Sequence, residues 1–132
     1  MPTLSPETLD TWWAAATPRE RDAAVAEHVL GYRAWSDGEN GWFMEVPEDN
    51  PSGWFGGPYP LPRFCDEIKE AWWVVESMCQ RNLTFHLDET PRGWVVQFNP
   101  GAICPWGDGV AATAPEAICL AAMKVMLEKR PS

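Results

Sequence analysis

Between residues 65 and 99 the apolar side chains change period, and that change constrains the fold class more than any other feature of the chain. From Cys65 to Arg81 they recur as Ile68, Trp72, Val75 and Cys79, at intervals of 4, 3 and 4, flanked by Ala71 and Met78. This spacing predicts an amphipathic helix with those residues inward. Asn82 follows as a stop, since asparagine tolerates the left-handed conformation that ends helices. The period then falls to two. Leu83, Phe85 and Leu87 share one face while Thr84, His86 and Asp88 share the other; Trp94, Val96 and Phe98 oppose Val95, Gln97 and Asn99. Side chains alternate across a strand, so both segments read as strands, and Glu89-Thr90-Pro91-Arg92-Gly93 suits a hairpin link. A helix running into a hairpin predicts a small antiparallel sheet with helices packed on it, in the α+β class.

The flanking segments extend this pattern. Ser5-Pro6-Glu7 carries a helix-start signal, with serine as N-cap and proline in the first turn; Leu9, Trp12, Trp13 and Ala16 would then share a face. Thr17-Pro18-Arg19-Glu20 is a capping box opening a second helix, with Ala24, Val25, His28 and Val29 inward and Gly31 as its stop. Tyr32 to Trp35 and Trp42 to Val46 read as short strands around the turn from Ser36 to Gly41. Pro47, Pro51, Gly53, Gly56, Gly57, Pro58, Pro60 and Pro62 predict an irregular loop over residues 47–63. Pro100 to Gly109 reads as a second loop, and Val110 to Ala112 as a short strand. Thr113-Ala114-Pro115-Glu116 repeats the capping box and opens a last helix with Ile118, Ala121, Ala122, Val125 and Met126 inward.

Charge and motif content narrow the function classes. The formal net charge of -9 repels phosphate backbones, so DNA or RNA is not the expected partner, although two or three cations in one pocket could still hold a small anion. The uncharged stretches are short and broken by proline and glycine, which predicts no membrane span. Met1-Pro2-Thr3-Leu4-Ser5-Pro6-Glu7 has neither the basic region nor the apolar core of a signal peptide. Cys65, Cys79, Cys104 and Cys119 form no C-x-x-C pair, and Cys65 and Cys79 on one helix lie roughly 21 Å apart, too far to bridge. Buried free thiols in a reducing compartment are expected. No G-x-S-x-G, H-E-x-x-H or glycine-rich phosphate loop is present, and His28 and His86 have no recognisable catalytic partner. The residues therefore point to binding without metal, cofactor or catalysis.

Nine tryptophans exceed what a core of this length needs, so some are expected at interfaces or stacking surfaces. In the pairs Trp12-Trp13 and Trp72-Trp73, adjacent helical positions cannot face the same way. One member of each pair is expected in the core and the other at a helix or subunit contact.

Three ordered segments also resemble a known family. Arg21-Asp22-Ala23-Ala24-Val25-Ala26-Glu27-His28-Val29-Leu30-Gly31-Tyr32 resembles its opening, Ile68-Lys69-Glu70-Ala71-Trp72-Trp73-Val74-Val75-Glu76-Ser77-Met78 its middle helix, and Thr113-Ala114-Pro115-Glu116-Ala117-Ile118-Cys119-Leu120-Ala121-Ala122-Met123-Lys124 its closing helix. This is the phage ABA-sandwich domain family, in which helices cover both faces of a small sheet. The resemblance implies an α-β-α sandwich over residues 19–132 behind an N-terminal helical extension over residues 1–18. Its best understood members are the Thoeris anti-defence sponges, which hold cyclic ADP-ribose isomers intact; some also take up cyclic oligonucleotides of CBASS systems, and they assemble as dimers or as hexamers built from dimers. By that resemblance the chain would be a phage-encoded homo-oligomer in the host cytoplasm, sequestering a cyclic nucleotide signal. The family's arginine after the Ile-Cys pair is replaced here by Leu120; Lys124, one turn on, keeps a cation without the bidentate fork.

A sponge needs a ring surface to stack a base, cations or amides for phosphates, and no nucleophile. The candidate stacking residues are Trp94, Phe98 and Trp106, with Asn99 to read a base or ribose edge. Arg92, Lys124 and Arg63 are the candidate phosphate partners. For Trp94 and Phe98 a place in the sheet's core is the competing reading, and for each cation a solvated surface charge. Two protein-partner functions stay open beside the sponge: an oligomeric phage accessory protein, and an acidic inhibitor that mimics DNA with the carboxylates between Asp37 and Asp49.

Overall fold

The computed structural model describes residues 4–39, 41–47, 56–99 and 107–128. Along the chain it runs α1 (Leu9–Ala15), α2 (Pro18–His28), β1 (Arg33–Ser36), β2 (Trp42–Val46), β3 (Gly56–Pro60), α3 (Ile68–Cys79), β4 (Thr84–Thr90), β5 (Gly93–Asn99), β6 (Gly107–Ala111) and α4 (Ala114–Glu128). The strands form two antiparallel three-stranded sheets, ordered β1-β2-β3 and β4-β5-β6, so the α+β class expected from the change of period is the one found.

Local signals set most of the boundaries. The Thr17 side chain accepts from the Glu20 amide and the Glu20 carboxylate accepts from the Thr17 amide, satisfying two donors that a helix start leaves free. Gly31 and Asn82 both take positive φ, at 76° and 64°, and turn the chain out of α2 and α3. One predicted start is corrected, and one predicted capping box is found with its glutamate engaged elsewhere. Ser5 to Thr8 form a hydrogen-bonded turn, and α1 begins after it at Leu9. At α4, Thr113 accepts from the Glu116 amide at 3.4 Å, but the Glu116 carboxylate turns to the indole of Trp13 at 3.4 Å and to Arg21 at 3.5 Å. Tertiary partners have taken the side chain that would have closed the box.

The first sheet corrects the reading of residues 47–63 as irregular throughout, since Gly56–Pro60 pairs with β2. Pro58 and Pro60 are tolerated because β3 is an edge strand, where a missing N–H need cost no ladder bond. Residues 48–55 lie outside the described segments. Helix α2 packs on β1 and β2, burying Ala34, Met44 and Val46. In the second sheet, β4 and β5 pair without a slip from Thr84↔Asn99 to Thr90↔Gly93, leaving Pro91-Arg92 as a two-residue turn. Helix α4 lies on β5 and β6. Gly109 makes that approach possible: a Cβ there would sit 2.6 Å from the Ala121 nitrogen and closer still to the Ala117 carbonyl oxygen. With α2 and α3 packed on it as well, α4 is buried almost all round, from Ala117 through Met123 and at Val125 and Leu127.

The core face of α3 differs from the expected stripe. Ala71, Val74, Val75 and Met78 are buried, whereas Ile68 is 52% exposed and Trp72 48% exposed, and Cys79 is also exposed. The helix is turned by about one position, because its partner is α4, and residues at the 71/74/75/78 spacing meet it. The expected face of β4 is corrected likewise: Leu83 is buried, Phe85 half-buried and Leu87 exposed. In the tryptophan pairs, Trp13 is buried and Trp12 half-buried, while Trp73 packs on Tyr32 and Phe64, at ring separations of 5.9 and 5.8 Å, and Trp72 is exposed.

Two polar clamps tie the layers together. Asp22, fully buried, accepts from the Cys65 amide at 2.9 Å and from Arg19 at 2.6 Å, while Arg19 also donates to the Leu61 carbonyl at 2.6 Å. This pins α2 to the connection between β3 and α3. Burial raises the Asp22 carboxyl above its ordinary value despite the amide and arginine that oppose the shift. Burial beside Cys119 and Asp22 likewise pushes the Cys65 thiol well up, which keeps it protonated and unreactive. Arg81 donates to the Val29 carbonyl at 2.8 Å and to Ser77 carbonyl and hydroxyl at 3.0 and 2.7 Å, joining the ends of α2 and α3.

Candidate functional site

Strand alternation and helix placement together leave a face of each sheet uncovered among the described helices. On the first sheet, Ala34 and Met44 point inward beneath α2, so Arg33, Trp35, Phe43 and Glu45 point the other way. Trp35 and Phe43 are cross-strand partners whose rings lie 6.2 Å apart at a 34° tilt. The Arg33 guanidinium sits 4.9 Å over the Trp35 ring and 3.4 Å from the Glu45 carboxylate. Its side chain is 72% exposed, so its donors remain open to solvent. Aromatic rings with a cation over one of them supply the two contact types, stacking and charge, that a base and a phosphate need. None of these four residues was singled out from the sequence. The available signal was the alternation itself, which puts Arg33 and Trp35, and Phe43 and Glu45, on single faces.

On the second sheet, Phe85, Trp94, Val96, Phe98 and Gly109 face α4, leaving Thr84, His86, Asp88, Val95, Gln97, Asn99 and Val110 on the other side. Asn99 ends β5 there, and its Oδ1 is buried without a hydrogen-bond partner among the described residues. An unpaired buried acceptor costs about 1–3 kcal/mol, so this oxygen would gain from an N–H or O–H donor such as a base amino group or a ribose hydroxyl.

The structure separates the other candidates. Phe98 is fully buried against Phe85, at a ring separation of 5.5 Å, and belongs to the core. Trp94 is half-buried against the core on the α4 side, opposite Glu89 and Ala111. Arg92 is exposed in the β4–β5 turn. Arg63, before α3, pairs with Asp66 at 3.8 Å, and Lys124 on α4 pairs with Asp10 at 3.6 Å. The three cations thus sit in the β3–α3 connection, in the β4–β5 turn and on α4, and Arg63 and Lys124 each have an acidic partner. Trp106 and Cys104 lie outside the described residues, as does part of the Asp37–Asp49 segment.

The Leu120 departure acquires a physical reason. Leu120 lies one helical turn from Glu116, which holds Trp13, and one turn from Lys124, which holds Asp10. Side chains of α1 thus reach α4 one turn to either side of Leu120, which is 7% exposed. An arginine there would be buried. Among the described residues no three His, Cys, Asp or Glu side chains gather where they could hold a metal ion, and no helix is long and apolar enough to cross a membrane.

Comparison with known proteins agrees with this architecture. The family model of the phage ABA sandwich domain matches residues 23–123, which leaves α1 outside the matched segment. A crystal structure of a phage protein from Bacillus cereus ATCC 14579 superposes with a TM-score of 0.60 at 24% identity, covering 83% of this chain and 92% of that one. Among curated proteins, none matches.

Proposed function

Because the chain belongs to the phage ABA sandwich domain family, we propose that it is a phage anti-defence sponge. It binds and sequesters cyclic nucleotide immune signals, cyclic ADP-ribose isomers and also cyclic oligonucleotides, without cleaving them. In this reading it acts in the host cytoplasm as a homo-oligomer, a dimer or a hexamer, with no resident cofactor. The observation that supports the proposal is the Arg33–Trp35–Phe43 platform, a half-buried aromatic pair beside an exposed cation, which offers stacking and charge. Asn99 is the candidate group for a base or ribose edge. Arg92, Arg63, Lys124, Trp94 and Trp106 are retained as candidate contacts from neighbouring protomers or loops.

The test is to incubate the protein with cyclic ADP-ribose isomers and cyclic di- and trinucleotides, remove free ligand, denature the protein and identify what is released by mass spectrometry. Intact nucleotide is expected. A cleaved product would replace the sponge with an enzyme, and no retained nucleotide would refute ligand capture. Trp35→Ala should then weaken binding by about 1–3 kcal/mol, roughly 5- to 160-fold in Kd. The alternative, an accessory protein or inhibitor acting through a protein partner, is favoured by one observation: the exposed Ile68, Trp72 and Leu87.

A further inference from the structure

Strand β4 lies at the outer edge of its sheet and, at 7 residues, is the longest edge strand described; β1 has 4, β3 has 5 and β6 has 5. Natural edges are commonly guarded by lysine, proline or a bulge. Thr84 to Thr90 contains no lysine or proline, and its pairing with β5 is unbroken. A two-residue hairpin makes Thr90 and Gly93 a hydrogen-bonded pair, so alternation assigns the backbone groups of Thr84, His86, Asp88 and Thr90 to β5. The N–H and C=O groups of Phe85, Leu87 and Glu89 then point outward from the sheet.

The segment Thr84-Phe85-His86-Leu87-Asp88-Glu89-Thr90 is self-complementary about its centre. Laid antiparallel to a second copy with the two-fold axis at Leu87, it sets His86 of each chain opposite Asp88 of the other, and Thr84 opposite Thr90. The residues that become hydrogen-bonded pairs across the axis are Leu87 with Leu87 and Phe85 with Glu89, the same residues whose backbone groups are free. Shifting the axis to Asp88 or to Glu89 would oppose two carboxylates, which is destabilising, whereas the Leu87 register sets the imidazole of His86, with its N–H donor, against the Asp88 carboxylate.

The apolar surface lies along the same edge. Ile68, Trp72 and Leu87 are the exposed large hydrophobic residues of the described chain, at 52%, 48% and 36%. Trp72 meets Phe85 edge-on at 5.8 Å, and Ile68 is one turn before it on α3. A two-fold axis at Leu87 would bring both patches to one boundary, as an isologous contact requires. We infer that β4 is the interface strand of a two-fold homodimer, in which two chains join edge to edge into one six-stranded sheet centred on Leu87.

This interface does not rest on the ligand: dimerisation and nucleotide retention can fail separately. The test is sedimentation equilibrium of the full chain over a concentration series, with charge-swap variants at two exposed positions and circular dichroism to confirm that each is folded. The wild type should dimerise. His86→Glu places carboxylate against carboxylate in both cross-strand pairs, and Asp88→Lys removes the carboxylate that accepts from His86 in both. Each should weaken the dimer about tenfold, since two pairs change together. The double variant H86E/D88K sets carboxylate against ammonium in both pairs and should return to within about threefold of wild type. The amide hydrogens of Phe85, Leu87 and Glu89 should also exchange more slowly as the dimer fills. A wild type that stays monomeric, single variants that dimerise normally, a double variant that stays dissociated, or fast exchange at those three amides in a dimer would each overturn the inference.

Discussion

Replacing Gly109 with alanine would test whether α4 lies directly on β6. The added Cβ would sit 2.6 Å from the Ala121 nitrogen, nearer still to the Ala117 carbonyl oxygen and 3.0 Å from the Ala121 Cβ. Carbon atoms need about 3.5–4.0 Å, so the helix must retreat by about 1 Å. Two of the three obstacles are backbone atoms, and no rotamer change relieves them. Overpacking commonly costs about 1–3 kcal/mol. Here the retreat also loosens the Ala117 and Ala121 packing, so a cost near the upper end, about 3 kcal/mol, is expected. For a chain of this size that corresponds to a Tm lower by roughly 10–15 °C. Urea and thermal unfolding followed by circular dichroism would measure it. Gly38→Ala is the comparison: nothing lies within 4 Å of its Cβ, but φ is +86°, so only backbone strain of about 1–2 kcal/mol applies. A Gly109→Ala protein within about 0.5 kcal/mol of wild type, which is the range of an unremarkable surface change, would refute the direct helix-on-strand contact.

Three further outcomes are expected. Burial raises the Asp22 carboxyl, so the folded state binds its proton more tightly than the unfolded state. Stability gained from that group is full below the unfolded value and lost as pH rises through the folded one. Wild type should therefore gain on Asp22→Asn as pH falls from neutral toward the ordinary value of 3.8; a difference that shrinks in urea titrations on acidification would contradict the assignment. Leu120→Arg should lower stability by about 2–4 kcal/mol, because the side chain it replaces is buried; unchanged urea unfolding would contradict that burial. Arg81→Met removes donors from the Val29 carbonyl and from Ser77. It should cost about 1–3 kcal/mol, with amide exchange rising first where α2 and α3 end.

Much of the fold was legible because its signals are local. The Thr17 capping box needs only residues three apart, Gly31 and Asn82 mark points where φ must turn positive, and the shift from helical spacing to alternation marks the α3–β4 boundary. The family was legible too, since the opening, middle and closing segments resemble it in order, and the family model matches over residues 23–123. The candidate site was far less legible. Trp94 and Phe98 read as stacking residues because aromatic rings on a strand look alike from either face, and it is α4 that covers theirs. Arg33, Trp35 and Phe43 went unnoticed because a platform exists only once β1 and β2 pair in register.

Periodicity, capping residues and turn residues thus determined by themselves that this chain makes helices and antiparallel strands, and nearly where they begin and end. Only the tertiary structure decided which face of each element has a partner. Ile68 and Trp72 fit a core stripe as well as Ala71 and Val74 do, until α4 selects the latter pair. Glu116 fits a capping box until Trp13 and Arg21 claim it. The physical reason is the same in both cases: a period fixes how many faces an element has, while burial depends on segments far away in the chain.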